Sequence, residues 1–291
     1  MDFVQQLVNG VQIGSVYALV AIGYTMVYGI AKMINFAHGD IIMVGSYVAL
    51  LFFQSSGLPA WGVIAATAAV SALLGVSIER LAYKPLRGGS RMSALITTIG
   101  VSLMLQNGFL LIFGSSPKPF PNHFTGEGFT LGGVTVSRLT AITLVVTVVL
   151  MVLLTLFVNR TRVGKAMRAV SEDQGAAQLM GINIDTSISI TFAIGSALAA
   201  VAAVLYSSTY PLINPYMGSM LGLRAFIAAV IGGIGVIPGA MIGGFIIGIA
   251  EALIKRYISS AMADAIVFAL LIVVLLVKPS GLLGRHEREK V

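Results

Sequence analysis

Lys32, Asn35, His38 and Asp40 crowd a short stretch between two apolar runs, one ending at Ile30 and the next beginning at Ile41. An amide, an imidazole and a carboxylate so placed have three chemical uses. Asn35 and Asp40 can cap the following helix within a polar inter-helix turn, with all the polar groups near a membrane surface. Alternatively the helix is broken there. Its exposed backbone ends then line a cavity, the setting in which irregular backbone is tolerated at membrane depth. Gly23, Gly29, Gly39 and Gly45 permit such a break. The third use is proteolysis. Gly39–Asp40 supplies half of a G-x-G-D pattern, but Ala37 stands where the first glycine belongs. No H-E-x-x-H occurs, and Gly88–Ser90 falls in a basic loop, so the sequence argues against an enzyme and assigns no catalytic residue.

The elements that must hold these groups are membrane helices. Of 291 residues, 57% are hydrophobic and only 10% charged, with a mean hydropathy of +0.95. Soluble domains carry about 25% charge. A single integral-membrane domain over residues 1–291 is therefore expected, in contact with the lipid bilayer. The absence of cysteine excludes disulfides and cysteine–zinc sites, and no metal-ligand constellation stands out. The net charge of +7 reflects basic cytoplasmic loops rather than nucleic-acid binding. Asp2, with no basic residue before the first apolar run, is unlike the start of a secretory signal peptide.

Spans are predicted near 11–30, 38–55, 60–80, 92–113, 139–158, 187–206 and 262–277. Three basic groups set the orientation: Arg80, Lys84, Arg87 and Arg91; Arg160, Arg162, Lys165 and Arg168; and Lys278, Arg285, Arg288 and Lys290. Placed in the cytoplasm, they put the N-terminus outside and Asn35, His38 and Asp40 near the inner surface. Residues 114–138 and 207–220 become external. To bring the tail inside, 221–257 must enter and return, either as two short helices around a turn or as a re-entrant pair. Gly232, Gly233, Gly235 and Pro238 supply the break. The fold class is thus an all-α polytopic membrane protein of about eight to nine segments, with a broken or re-entrant Gly-rich pair near 221–257. Glu251 stands four residues before Lys255 and can pair with it. Arg224 could meet a carboxylate, but as a helix-end arginine it is expected to snorkel to the headgroups. Gln106 and Asn107 are expected to hydrogen-bond between helices.

A cytoplasmic loop, 159–187, carries the most informative segment, "RAVSEDQGAAQLMGINIDTSISITF" from Arg168 to Phe192. Ser171 and Gln174 form a capping box, predicting a helix of about nine residues from Glu172. Glu172 and Asp173 match the helix dipole, and Gly181 stops the helix in a left-handed turn. Asp185 or Thr186 then caps the next span. The helix presents Ala176, Ala177, Leu179 and Met180, either to the lipid surface or to a groove on a cytoplasmic partner.

"GAAQLMG" resembles the EAA-x-x-x-G motif of ABC-importer permeases, with Gly175 where glutamate is usual. "GYTMVYGIAKMINFAHGD", "SIERLAYKPLR", "LMGIN", "INPY" and "GGIGVIPGAMIGG" resemble the smaller permease subunit of branched-chain amino-acid ABC importers, over nearly the whole chain. The resemblance implies a multi-pass protein of the bacterial inner membrane that translocates leucine, isoleucine and valine. It further implies a second, different permease subunit, two cytoplasmic ATPases and a periplasmic substrate-binding protein. Residues Glu172, Asp173, Ala176, Ala177, Leu179, Met180 and Gly181 would dock into the ATPase. Asn35, His38, Asp40, Gly232, Gly233, Gly235 and Pro238 would contact the translocation path or its gate. The sequence contains no G-x-x-x-x-G-K-[ST], so ATP would be bound by the partner subunits and no cofactor by this chain. Permeases for urea, amides or other amino acids, and a secondary transporter, remain the alternatives.

Overall fold

A computed structural model describes residues 2–284, apart from 88, 122, 125, 127 and 132 and the side chains of Arg91 and Leu131. The tail residues Arg285, Arg288 and Lys290, used above for orientation, lie outside the described residues. The chain is overwhelmingly helical: α1 (Asp2–Ala31), α2 (His38–Ser55), α3 (Ala60–Ile78), α4 (Arg91–Phe113), α5 (Arg138–Arg160), α6 (Arg162–Glu172), α7 (Gln174–Leu179), α8 (Ile184–Thr209), α9 (Met217–Gly232), α10 (Ile237–Tyr257) and α11 (Ala263–Val277). After α3 the chain tightens through a π-turn, Glu79–Tyr83, and a 3-10 turn, Lys84–Leu86. Two short antiparallel pairs add strands the sequence did not announce. One joins β1 (Lys118–Pro119) to β4 (Leu212–Ile213), the other β2 (Phe129–Leu131) to β3 (Val134–Val136).

Among the described residues, six helices are long and apolar enough to cross a membrane: α1, α3 with its following turns, α4, α5, α8 and α10. The helices α9 and α11 are apolar but only 16 and 15 residues long. The first span begins at Asp2 rather than near residue 11. Local chemistry explains several starts. Ser90, Ser137, Thr161, Asp173 and Asn183 each accept from a backbone amide three residues on.

Helices α1 and α8 form the buried centre. Small residues let α10 approach α1 closely: a Cβ on Gly10 would sit 2.6 Å from Ile249 Cα, and one on Gly14 2.9 Å from Phe245 Cα. These two helices are antiparallel, and Arg256 at the end of α10 donates to Asp2 at the start of α1 at 2.8 Å. That end of the bundle also gathers Gln5 against Thr135 and Gln12 against Thr209 and Thr140. The opposite end gathers α6, α7, the α9–α10 turn and residues 278–284. Leu282 and Leu283 there donate backbone hydrogen bonds to Ile231 and Gly232. The basic loops gather at this second end, the one expected to face the cytoplasm.

Candidate functional site

The opening polar stretch does not form a surface turn. Lys32 takes a left-handed φ of +55° just beyond α1, and the chain folds back along the helix it has left. His38 then packs against Gly23: a Cβ there would lie 2.7 Å from the imidazole Nε2 and 3.1 Å from the Gly195 carbonyl oxygen. Gly23 precedes the end of α1 at Ala31 by eight residues, about 12 Å of helix. Gly195 lies eleven residues into α8, about 16 Å from its cytoplasmic start. The expectation of a polar turn between helices is therefore corrected: His38 and Asp40 lie inside the helix bundle, His38 about 12 Å back from the end of α1.

Nor do they cap α2. The cap position is Ala37, with no side-chain hydrogen bond. Asp40 instead reaches across to α4, where Gln106 Nε2 donates to its Oδ1 at 2.9 Å. The same nitrogen approaches Ser102 Oγ at 3.1 Å and Ser219 Oγ, at the start of α9, at 2.9 Å. Gln106 is thus an interhelical residue as expected. Asn107 is not, since its amide donates to the Leu103 carbonyl within α4. Asp40 is buried, and no ion pair to it stands among the described residues. Asn35 is 1% exposed, and neither Oδ1 nor Nδ2 has a hydrogen-bond partner among the described residues.

The starts of α2 and α9 meet at this level. A Cβ on Gly222 would lie 2.6 Å from Gly39 Cα and 3.3 Å from the Tyr24 hydroxyl. Glycine on both sides is what allows two helix N-termini to share this position. Below them a cleft of about 680 Å³ opens at the cytoplasmic end, bounded by Tyr28, Lys32, Met33, Ile34, Ile234 and Ser280 among others. A narrow extension of about 10 Å³ shares Tyr28, Met33, Ile34 and Ile234 and ends at Tyr24 and Phe226. The Tyr24 ring stands edge-on to His38 at 4.5 Å and to Phe226 at 5.9 Å.

The Gly-rich region forms two helices around a turn, α9 and α10. Gly233 and Gly235 take φ of +107° and +93°, which only glycine adopts without strain. Ile234 borders the cleft, whereas Gly232 and Gly239 pack on each other and Pro238 lies in the first turn of α10. The structure therefore brings the turn and the Met33–Ile34 segment around one cavity. Gly232 and Pro238 themselves serve helix packing and initiation.

The cytoplasmic loop differs from expectation in register. A helix the sequence reading missed, α6, runs through Ser171, whose hydroxyl donates to the Arg168 carbonyl within that helix. Asp173 caps α7, a helix of six residues rather than nine, so the Ser171 capping box does not form. Glu172 ends α6. Gly181 stops the segment with φ +79°, as expected. Leu179 and Met180 are 90% and 82% exposed and Ala176 is exposed too, but Ala177 is 3% exposed and packs inward. Asn183, not Asp185 or Thr186, caps α8.

Asp185 is occupied otherwise. Lys84 pairs with it at 2.7 Å, and Arg87 bridges it to the buried Glu79, which also accepts from Ser189 at 2.6 Å. The signal available in the sequence was an acidic residue near the end of an apolar span. A second network, toward the other end, corrects the snorkelling of Arg224. Its guanidinium binds Glu251 at 2.9 Å and the Tyr17 hydroxyl at 3.0 Å, and its Nε binds Asp264 at 3.0 Å. Lys255 pairs with Glu251 at 2.5 Å, as its spacing predicted.

These features define a multi-pass membrane protein in which α2 and α9 begin within the bundle and two short helices, α6 and α7, stand at one end. The chain belongs to the branched-chain amino acid transport system/permease component family, whose profile matches residues 6–275. It is 48% identical over 211 residues to the high-affinity branched-chain amino acid transport system permease protein BraD of Pseudomonas aeruginosa, covering 68% of each chain. It is 49% identical over 211 residues to the corresponding permease protein LivH of Escherichia coli, again covering 68% of each. A probable branched-chain amino acid transport permease protein of Methanocaldococcus jannaschii is 31% identical over 190 residues, 62% of this chain and 59% of that one. No solved structure matches. The family is one of transporter components.

Proposed function

We propose that this chain is the smaller permease of an ABC importer in the bacterial inner membrane, and that it moves leucine, isoleucine and valine inward. It works with a second, different permease, two cytoplasmic ATPases that bind the ATP, and a periplasmic substrate-binding protein. It forms one membrane domain of about nine segments, in which α2 and α9 begin inside the bilayer, with a cytoplasmic coupling loop over 159–187.

The observation that carries the coupling role is the pair Leu179–Met180, large, apolar and almost fully exposed on a capped helix at the cytoplasmic end. Exposed apolar side chains of this size mark a contact surface. The helix is anchored so that force applied to it reaches the bundle. Ala177 packs inward, Gly181 turns the chain into α8, and Asp185 in the first turn of α8 is tied by Lys84 and Arg87 to the end of α3. Asn35, His38 and Asp40 then belong to the translocation path, and Ile234 and its flanking glycines to the cytoplasmic mouth. Reconstitution of the full complex with radiolabelled leucine, and with isoleucine, valine, urea and alanine as competitors, tests the assignment. Saturable, ATP-dependent leucine uptake competed only by isoleucine and valine is expected. Preferential competition by urea or alanine would reassign the substrate.

A further inference from the structure

Asn35 is buried, and its amide has no hydrogen-bond partner among the described residues. Asp40 is a buried carboxylate hydrogen-bonded by the neutral amide of Gln106, with no cation beside it among the described residues. A buried unsatisfied amide and an uncompensated carboxylate are each costly, and at membrane depth such groups mark function. Asp40 stands where α2 and α9 begin against each other, a Cβ on Gly218 lying 3.1 Å from Asp40 Cα, and Asn35 lies in the turn just ahead, its carbonyl accepting from the His38 amide at 3.1 Å. The positive ends of two helix dipoles therefore meet close to a carboxylate that lacks a cation.

That combination is complementary to a zwitterion. A carboxylate and amide oxygens suit an ammonium group, while helix N-termini and an amide N–H suit a carboxylate group. The approach from below is apolar: Met33, Ile34, Phe226, Ala229 and Ile234 border the narrow extension of the cytoplasmic cleft. An aliphatic side chain would find its wall there. Between cleft and polar layer stand Tyr24 and Phe226, ring to ring, with Tyr24 against His38. The extension of about 10 Å³ is too small for an amino acid, whereas the cleft beneath, about 680 Å³, is in the range of ligand cavities.

We propose that Asn35, Asp40 and Gln106 form a substrate station at mid-membrane for the ammonium and carboxylate groups of an aliphatic amino acid, closed from the cytoplasm by Tyr24 and Phe226. This rests on the transport reading above and adds to it the residues that hold the cargo. The ammonium group takes the Asp40 carboxylate and the Asn35 Oδ1. The substrate carboxylate faces the starts of α2 and α9. Release requires the Tyr24–Phe226 pair to part, which joins the station to the cleft.

The test uses the assembled complex in proteoliposomes, with radiolabelled leucine as probe. Asn35→Leu removes an unsatisfied buried amide at similar size, so thermal stability and co-purification with the partner subunits should hold or improve. Leucine uptake should nevertheless fall at least about tenfold, because a site built on hydrogen bonds loses them. Asp40→Asn keeps the hydrogen-bonding shape but not the charge and should raise the KM for leucine by about tenfold or more. Phe226→Ala should allow ATP-independent leucine exchange across the membrane. Wild-type KM and rate in both Asn35→Leu and Asp40→Asn would overturn the station. A loss of uptake that tracks a loss of stability in Asn35→Leu would reassign the amide to structure and equally overturn it. A leak-free Phe226→Ala complex would overturn the gate. A wild-type complex that takes up no leucine would instead overturn the transport assignment on which the station depends.

Discussion

Arg224 and Glu251 stand 2.9 Å apart across α9 and α10, and Glu251 is only 1% exposed. The pair does not act alone: Tyr17 on α1 donates to the other oxygen of Glu251 at 2.6 Å, and Asp264 on α11 holds the guanidinium from the far side. One side chain therefore joins helices that the sequence separates by more than two hundred positions. A hydrophobic bundle in lipid lacks a strong hydrophobic drive between its helices, so such a cluster fixes which helices neighbour which.

Leaving a buried charge wholly unpaired costs about 3–5 kcal/mol in proteins. Arg224→Leu leaves Glu251 one cation, Lys255 at 2.5 Å, so it should lower the thermal midpoint of the purified permease by less than that full cost. Arg224→Leu combined with Glu251→Leu should recover much of that loss, since Asp264 and Lys255 are partly exposed and can keep water. A double variant no more stable than Arg224→Leu alone would show that the cluster works through packing rather than charge.

Cap identity gives a sharper prediction. Asp173 accepts from the Ala176 amide at 2.9 Å, while the Ser171 hydroxyl is spent on the preceding helix. Asp173→Ala should destabilise the coupling segment by about 1 kcal/mol, and Ser171→Ala should be close to neutral. Hydrogen exchange of the Gln174–Met180 amides measures both. Faster exchange in Ser171→Ala than in Asp173→Ala would restore the earlier register.

Exposure separates the roles within that same segment. Leu179→Glu and Met180→Glu change side chains that are 90% and 82% exposed, so the permease should insert and melt as before while the ATPase no longer co-purifies. Ala177→Trp is different. Ala177 is packed inward, so a bulky replacement overfills the permease itself, at about 1–3 kcal/mol, before any partner is met. Gly181→Val forces a β-branched residue to φ +79° and should add strain of about 1–2 kcal/mol at the same hinge. Thermal melts read alongside ATPase pull-down distinguish these variants. Unchanged melting of Ala177→Trp with lost ATPase would return that alanine to the docking face.

The fold was legible wherever local composition decides. The limits of α2 at 38 and 55 and the break between α9 and α10 followed from apolar length and from glycine with proline. The cap of α7 was misread because Ser171, Glu172 and Asp173 are consecutive oxygen-bearing residues, and only the extent of α6 decides which one begins a helix. The depth of His38 was hidden for another reason. Counting spans assumes that each connection returns to a surface, and the charge on Lys32 supports that assumption. Yet the six residues after α1 fold back into the bundle, which only tertiary packing against Gly23 and Gly218 discloses. The contacts of Arg224 with Tyr17 and of Glu79 with Ser189 were likewise invisible, because both join helices distant in sequence.

The link from Lys84 and Arg87 to Asp185 offers a test of how motion travels. Asp185 follows Gly181 by four residues, in the first turn of α8, and its two basic partners belong to the turn that ends α3. Lys84 and Asp185 are each about half exposed, so their pair alone should contribute little stability, within about 1 kcal/mol. Arg87 is the stronger element, because it also neutralises the fully buried Glu79. Lys84→Gln should therefore be nearly silent. Asp185→Asn should leave the bundle stable, since Arg87 keeps Glu79, but should free the start of α8 from α3. If the cytoplasmic helix pair transmits ATPase movement through that joint, Asp185→Asn will raise the ATP hydrolysed per leucine transported, with co-purification of the ATPase unchanged. Arg87→Gln should go further and lower the melting temperature, because Glu79 is then left buried without a cation. An unchanged ratio of ATP to leucine in Asp185→Asn, in a complex that assembles and transports at wild-type rate, would mean that movement reaches the membrane helices by α7 and the α6–α8 packing alone.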